Sequence, residues 1–224
     1  MNDKEKREKN EPSFADRFEM ITRSGSTRLS LDGHTYQAVC IVGQIEGHTL
    51  SEGTQKVTKY EHLLPMLAWL EASEEIEGVL FLLNTLGGDV EAGLAIAEMI
   101  ASMNKRTVSL VLGGGHSIGI PLAVAADTSL IVQSATMTLH PVRTGGMVIT
   151  APQAFDYLIR MQDRILDFLS AHSRADRDDL HRRMMRTDQM ANDIGSVLTG
   201  RDAVECGLID RVGGLADALS ALRA

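Results

Sequence analysis

Residues 78–127, GVLFLLNTLGGDVEAGLAIAEMIASMNKRTVSLVLGGGHSIGIPLAVAAD, alternate two periodicities. GVLFLLN (78–84) and TVSLVLGGG (107–115) are continuous apolar runs, the pattern of strands buried on both faces. VEAGLAIAEMIASM (90–103) and SIGIPLAVAAD (117–127) follow them as helices, with Pro121 tolerated in the opening turns of the second. Upstream, YQAVCIVGQIEG (36–47) reads as a further strand. KYEHLLPMLAWLEAS (59–73), with Leu63, Leu64, Leu67 and Leu70, reads as its helix. Strand then helix, three times over, predicts a parallel α/β core.

Beyond residue 128 the pattern changes. SLIVQ (129–133), TMTLHP (136–141) and GGMVIT (145–150) are short strand candidates. They precede a long predicted helix over 151–173. Phe155, Leu158, Ile159, Ile165, Leu166 and Leu169 share one stripe of it, while Met161 and Phe168 lie off that stripe. A second apolar face on so long a helix suggests contact with another subunit. TGRDAVECGLID (199–210) reads as a helix opened by a Thr199/Asp202 capping box and closed by Gly207. Residues 1–19 carry five Lys/Arg and six Asp/Glu and few core formers. Residues 1–28 are therefore expected to be a mobile charged arm, and 29–224 a single domain.

A net charge of −8 over 224 residues argues against nucleic-acid binding, which needs a basic surface. HRRMMR (181–186) fits a solvated helix face. The N-terminus lacks the apolar segment of a signal peptide, and no 18-residue apolar run spans a membrane. Cys40 and Cys206 sit in apolar contexts as small buried hydrophobes. With no CxxC pair, a cytoplasmic location fits. No HExxH or GK[ST] motif is present, so no metal or other cofactor is expected.

The chemistry concentrates at Ser117, within GHSIG at a strand-to-helix turn. A serine nucleophile needs a base and donors for its oxyanion. The glycine turn in NTLGGD (84–89) ends the neighbouring strand, and neighbouring carboxyl ends share one crevice in an α/β sheet. The Gly88 and Ile118 N–H groups are thus candidate oxyanion donors. Of seven histidines, His140 closes a strand before Pro141 and is the preferred base. His116, adjacent in sequence to Ser117, diverges from it.

NTLGG, GGGHSIG, TMTLHP, the long helix and TGRDAVECGLID, in that order from about residue 40 to 212, resemble the ClpP family, the proteolytic subunit of Clp protease. Within that family they resemble its TepA-like, translocation-enhancing branch. The resemblance implies a ClpP/crotonase-like spiral of stacked β/α units with a handle region at about 141–175. It also implies a heptameric ring or stacked rings, and a peptide or unfolded protein as substrate. Ser117 would be nucleophile and His140 base, with Gly88 and Ile118 as oxyanion hole. The family's aspartate falls before GRDAVECGLID, where Asp193 is the nearer acid and Asp188 the alternative. Leu86 stands where the family usually has proline, and HPV replaces its His-Gln-Pro. The first 35 residues differ from the family's axial-loop segment, so engagement of an unfoldase is not implied. Three rivals stay open: a Ser–Lys dyad using Lys56, Lys59 or Lys105, a crotonase-like acyl-CoA enzyme using Asp89 or Glu91, and a non-catalytic ring scaffold.

Overall fold

The structure is a computed structural model and describes residues 25–48, 53–143, 150–189 and 193–224. Its central sheet grows outward from a hairpin. β1 (Ser26–Leu31) and β2 (His34–Glu46) are antiparallel, joined by Asp32-Gly33 with both φ positive, the turn that suits strand twist. β2 then pairs in parallel with β3 (Val57–Lys59) and with β4 (Gly78–Gly88). β4 pairs with β5 (Arg106–Gly115), β5 with β6 (Thr128–Ile131), and β6 with β9 (Arg211–Val212), all parallel. Helices α1 (Tyr60–Ala72), α2 (Val90–Ala101) and α3 (Gly119–Val124) are the crossovers. Each crossover adds a strand on the same side, so the β/α units stack as a mixed α/β fold, as expected.

The continuous apolar runs are explained by burial on both faces. One face of β2, β4 and β5 packs Ile41, Phe81, Leu83 and Val111 into the main core with α1, α2 and α3. The alternate residues Tyr36, Ala38, Leu80, Val108 and Leu110 meet Ala218, Ala221 and Leu222 of the last helix, α7 (Leu215–Arg223). That row runs on past the end of α7 to Cys40, Val42, Leu86 and Leu112, which are exposed. Cys40 is therefore not the buried hydrophobe its neighbours suggest.

A second, smaller ladder carries the far side of the site. β5 passes from β6 to β7 (Thr136–Leu139) at Gly114, and β7 pairs antiparallel with β8 (Ser196–Thr199). α4 (Ala151–Ala171) and α5 (Arg177–Met184) lie between them in sequence, and α6 (Gly200–Glu205) follows β8. Thr199 and Asp202 form the expected capping box, and Gly207 takes the left-handed φ that ends α6.

Several expected boundaries move. The NTLGG segment is no turn: β4 runs to Gly88, its register against β2 shifting at Gly43/Gln44. The helix expected over 117–127 is only α3, because Ser117 has φ +56° and cannot be helical. On α4 the buried face is Met161, Gln162, Ile165, Leu166, Phe168 and Leu169, so Met161 and Phe168 serve this chain's own core. Residues 151–160 bury nothing, and Phe155, Tyr157 and Ile159 are exposed on that projecting half. Residues 26–28, expected in the arm, belong to β1. Residues 1–24 and the strand candidate at 145–149 lie outside the described residues, whereas Thr150 caps α4. Among the described residues no helix is long and apolar enough to cross a membrane.

Candidate active site

Ser117 is fixed by backbone bonds on two sides. The His116 N–H donates to Thr85 O of β4 at 3.1 Å, and the Ser117 N–H to Thr138 O of β7 at 2.8 Å. Between these anchors Ser117 adopts the left-handed conformation, which costs a residue with a Cβ about 1–2 kcal/mol. Strain held at a reactive side chain is a mark of function rather than of folding convenience. Gly87 makes room for it: a Cβ there would lie 2.7 Å from Ser117 Cβ and 3.3 Å from its Oγ.

The Gly88 and Ile118 N–H groups flank this turn in the chain order β4, β5. The Asp89 N–H donates to Ile45 O of β2 at 3.0 Å. N–H groups alternate sides along a strand, so that of Gly88 faces the opposite side, toward β5. The Ile118 N–H has no hydrogen-bond partner among the described residues. Its side chain is buried against Gly93, where a Cβ would come 2.3 Å from Ile118 Cγ1.

His140 leaves the end of β7 opposite Gly195, whose missing Cβ would otherwise sit 2.9 Å from that of His140. The His140 Nδ1 lies 2.7 Å from Pro141 O. A carbonyl only accepts, so Nδ1 carries the proton and Nε2 keeps a lone pair. Burial pushes the His140 pKa below the ordinary histidine value. The Pro141 carbonyl opposes this, the Arg143 cation adds to it, and Asp193 opposes it. Gly88, Ser117, His140, Pro141 and Arg143 line one cavity of about 100 Å³. Ser117 Oγ makes no hydrogen bond to His140 among the described residues.

The acids separate. Asp188 gives both oxygens to exposed Arg186, at 2.9 and 2.7 Å, and does not act on His140. Asp193 precedes β8, beside the continuation of the β7 ladder past His140, and is ion-paired with Arg143. Arg143, Gly87 and Gly195 were not singled out from the sequence. The arginine two residues after His-Pro was the available signal.

The rivals find less support in the geometry. Lys105 Nζ donates to Ser73 O and Ile76 O, both at 2.6 Å, and Lys59 pairs with Glu46. Lys56 does not line the Ser117 cavity. Asp89 caps α2 through the Ala92 N–H at 2.8 Å, and Glu91 is bonded to Arg164, so both carboxylates are engaged elsewhere. His116 Nδ1 lies 2.9 Å from Thr138 Oγ1, and no bond joins it to Ser117 among the described residues. A larger cleft of about 500 Å³ between α2 and α4, lined by Glu91, Arg164, Phe168 and His172, contains no serine or cysteine.

The family pattern described as Clp protease matches residues 39–215, from β2 to the first residue of α7. The chain is 49% identical over 206 residues to the translocation-enhancing protein TepA of Halalkalibacterium halodurans, covering 92% of this chain and 80% of that protein. It is 22% identical over 160 residues to the ATP-dependent Clp protease proteolytic subunit of Lactococcus lactis subsp. cremoris, covering 67% of this chain and 74% of that protein. The matched span contains Ser117, His140, both glycine-bearing strands and the β7–β8 ladder, and the chain belongs to the Clp protease family.

Proposed function

We propose that this protein is a serine endopeptidase of the ClpP type, acting on peptides or unfolded protein within a homomeric ring and needing no ATP for its own chemistry. The observation that carries this reading is the strained Ser117, sharing a cavity with a His140 whose Nε2 is left free to accept. His140 takes the Ser117 proton as Oγ attacks the peptide carbonyl, and the Gly88 and Ile118 N–H groups receive the oxyanion. The imidazolium then protonates the leaving amine. Water, activated by the same histidine, attacks the acyl ester and regenerates Ser117. Asp193 is the acid that orients the imidazole. Two free cysteines suit a reducing compartment, the cytoplasm.

The pH dependence tests the base. His140 acts only when neutral, and its pKa is depressed chiefly by burial. Activity therefore rises with pH, with a midpoint below the ordinary histidine value of about 6.5. The acid limb of kcat/KM on one chromogenic peptide measures it; a midpoint at or above that value would remove His140 as the base in this environment.

The exposed half of α4 supports assembly. Phe155 and Ile159, one turn apart on one face, and Tyr157 on another, stand exposed on its projecting half, apolar surface beyond what this chain buries. Sedimentation is expected to give a mass several times the 24.4 kDa chain, and Phe155→Ser with Tyr157→Ser to lower it. A single-chain mass for the unaltered protein at micromolar concentration would count against the ring.

The second reading, a ring subunit without turnover, is favoured by two observations. Ser117 and His140 are not hydrogen-bonded to each other, and Asp193 is held by Arg143.

A further inference from the structure

The expected partners His140 and Asp193 are each occupied elsewhere. His140 Nδ1 is spent on Pro141 O at 2.7 Å. Asp193 Oδ1 accepts the Ile194 N–H at 2.8 Å, and Oδ2 is paired with the Arg143 guanidinium. Arg143 also lines the Ser117 cavity, three residues along the chain from His140. The carboxylate thus has both oxygens engaged without touching the imidazole, although its charge is felt there.

We infer that Arg143 is a positioning residue of this site: its ion pair withholds the Asp193 carboxylate from His140, and breaking that pair frees the carboxylate to take the imidazole Nδ1 from the Pro141 carbonyl. The inference rests on the serine–histidine reading above and concerns how that site is held at rest. Pairing Asp193 with Arg143 lowers the imidazole's ability to carry the proton it must take from Ser117, because a carboxylate neutralised by a guanidinium stabilises imidazolium poorly. The arginine adds its own positive charge to the same ring. A protein that degrades unfolded chains gains from such a resting state, since a site that is off until rearranged spares folded neighbours. The ion pair is also partly exposed, 55% for Arg143 and 34% for Asp193, so it is a weak lock that a new contact can open.

The charged and titratable groups around His140 are His116 on the turn after β5, Arg143 on its own segment and Asp193 before β8. A double-mutant cycle separates the two ways Arg143 can act on it. Full-length protein with 13C-labelled histidine is titrated by NMR in four forms: wild type, Arg143→Gln, Asp193→Asn and the double variant. His140→Gln identifies the signal. If Arg143 acts through Asp193, Arg143→Gln raises the His140 pKa more with Asp193 present than with Asn there, and the cycle is non-additive. Equal shifts in both backgrounds make Arg143 a plain neighbouring charge and overturn the inference.

Catalysis supplies the second readout. The orienting carboxylate is worth about 10⁴ in kcat in the serine-protease template, so releasing part of it should raise kcat by about tenfold. Arg143→Gln should show that rise and move the acid limb of kcat/KM to higher pH. Arg143→Lys, which keeps the cation but not the planar fork, should raise kcat less than Arg143→Gln does. A fall in kcat on Arg143→Gln contradicts the inference. A non-additive cycle in a protein that cleaves no peptide would sink the peptidase reading and leave the ion-pair assignment standing.

Discussion

Ser117→Ala lowers kcat on a short peptide by about 10⁶-fold, the cost of removing a nucleophile that acts with a base. Fold and assembly remain, because the serine backbone, not its hydroxyl, makes the bonds that anchor the turn. Ser117→Gly makes the companion case. It also lacks the hydroxyl, but glycine adopts φ +56° without penalty. It should stabilise the chain by about 1 kcal/mol relative to the alanine variant, a rise of about 2–4 °C in Tm for a chain of this size. Activity lost in both variants, with stability gained in one, is the signature of a residue held in strain for its chemistry. Unchanged cleavage in Ser117→Ala would leave the ring scaffold as the better account.

The second large effect separates the two acids. Asp193→Asn keeps the shape but removes the charge that, on the proposed reading, orients and stabilises the imidazolium, and kcat should fall by between about 10² and 10⁴. The lower figure applies if the Arg143 pair already withholds most of the carboxylate. Asp188→Asn breaks only a surface pair with Arg186, leaving kcat within about twofold and the Tm little changed. Both variants are compared on one peptide at one pH above the His140 midpoint. Sensitivity at Asp188 instead would mean that the chain segment before β8 is differently placed in the working protein.

Much of this arrangement was legible in the residues. The apolar runs at 78–84 and 107–115 fixed two adjacent buried strands, and the helical patterns after them required parallel crossovers. That topology alone brings Gly88 and Ser117 to one edge, and the strand-end His140 then falls across the same cavity. Other features depend on tertiary contacts that no local pattern carries. The glycines of NTLGG looked like a turn because glycine is poor in strands. Here they extend β4, since Gly88 lies where a Cβ would strike Ile45 O at 2.2 Å. Cys40 has the sequence context of a core residue, but α7 ends before reaching it. On α4 the apolar stripe was misassigned because half the helix projects from the body, so exposed Phe155 and Ile159 carry the same periodicity as buried Ile165. Arg143 stands near His140 in the chain, but its pairing with an acid fifty residues further on leaves no pattern that names its role.

The central claim is that Ser117 is a nucleophile activated by His140, and covalent capture tests it most directly. The assembled protein is treated with a fluorophosphonate and the adduct located by peptide mass mapping. The account expects one adduct per chain, on Ser117, with labelling abolished in Ser117→Ala and slowed at least a hundredfold in His140→Gln. An assembled protein left unlabelled at Ser117, or labelled there as fast without His140, would contradict it.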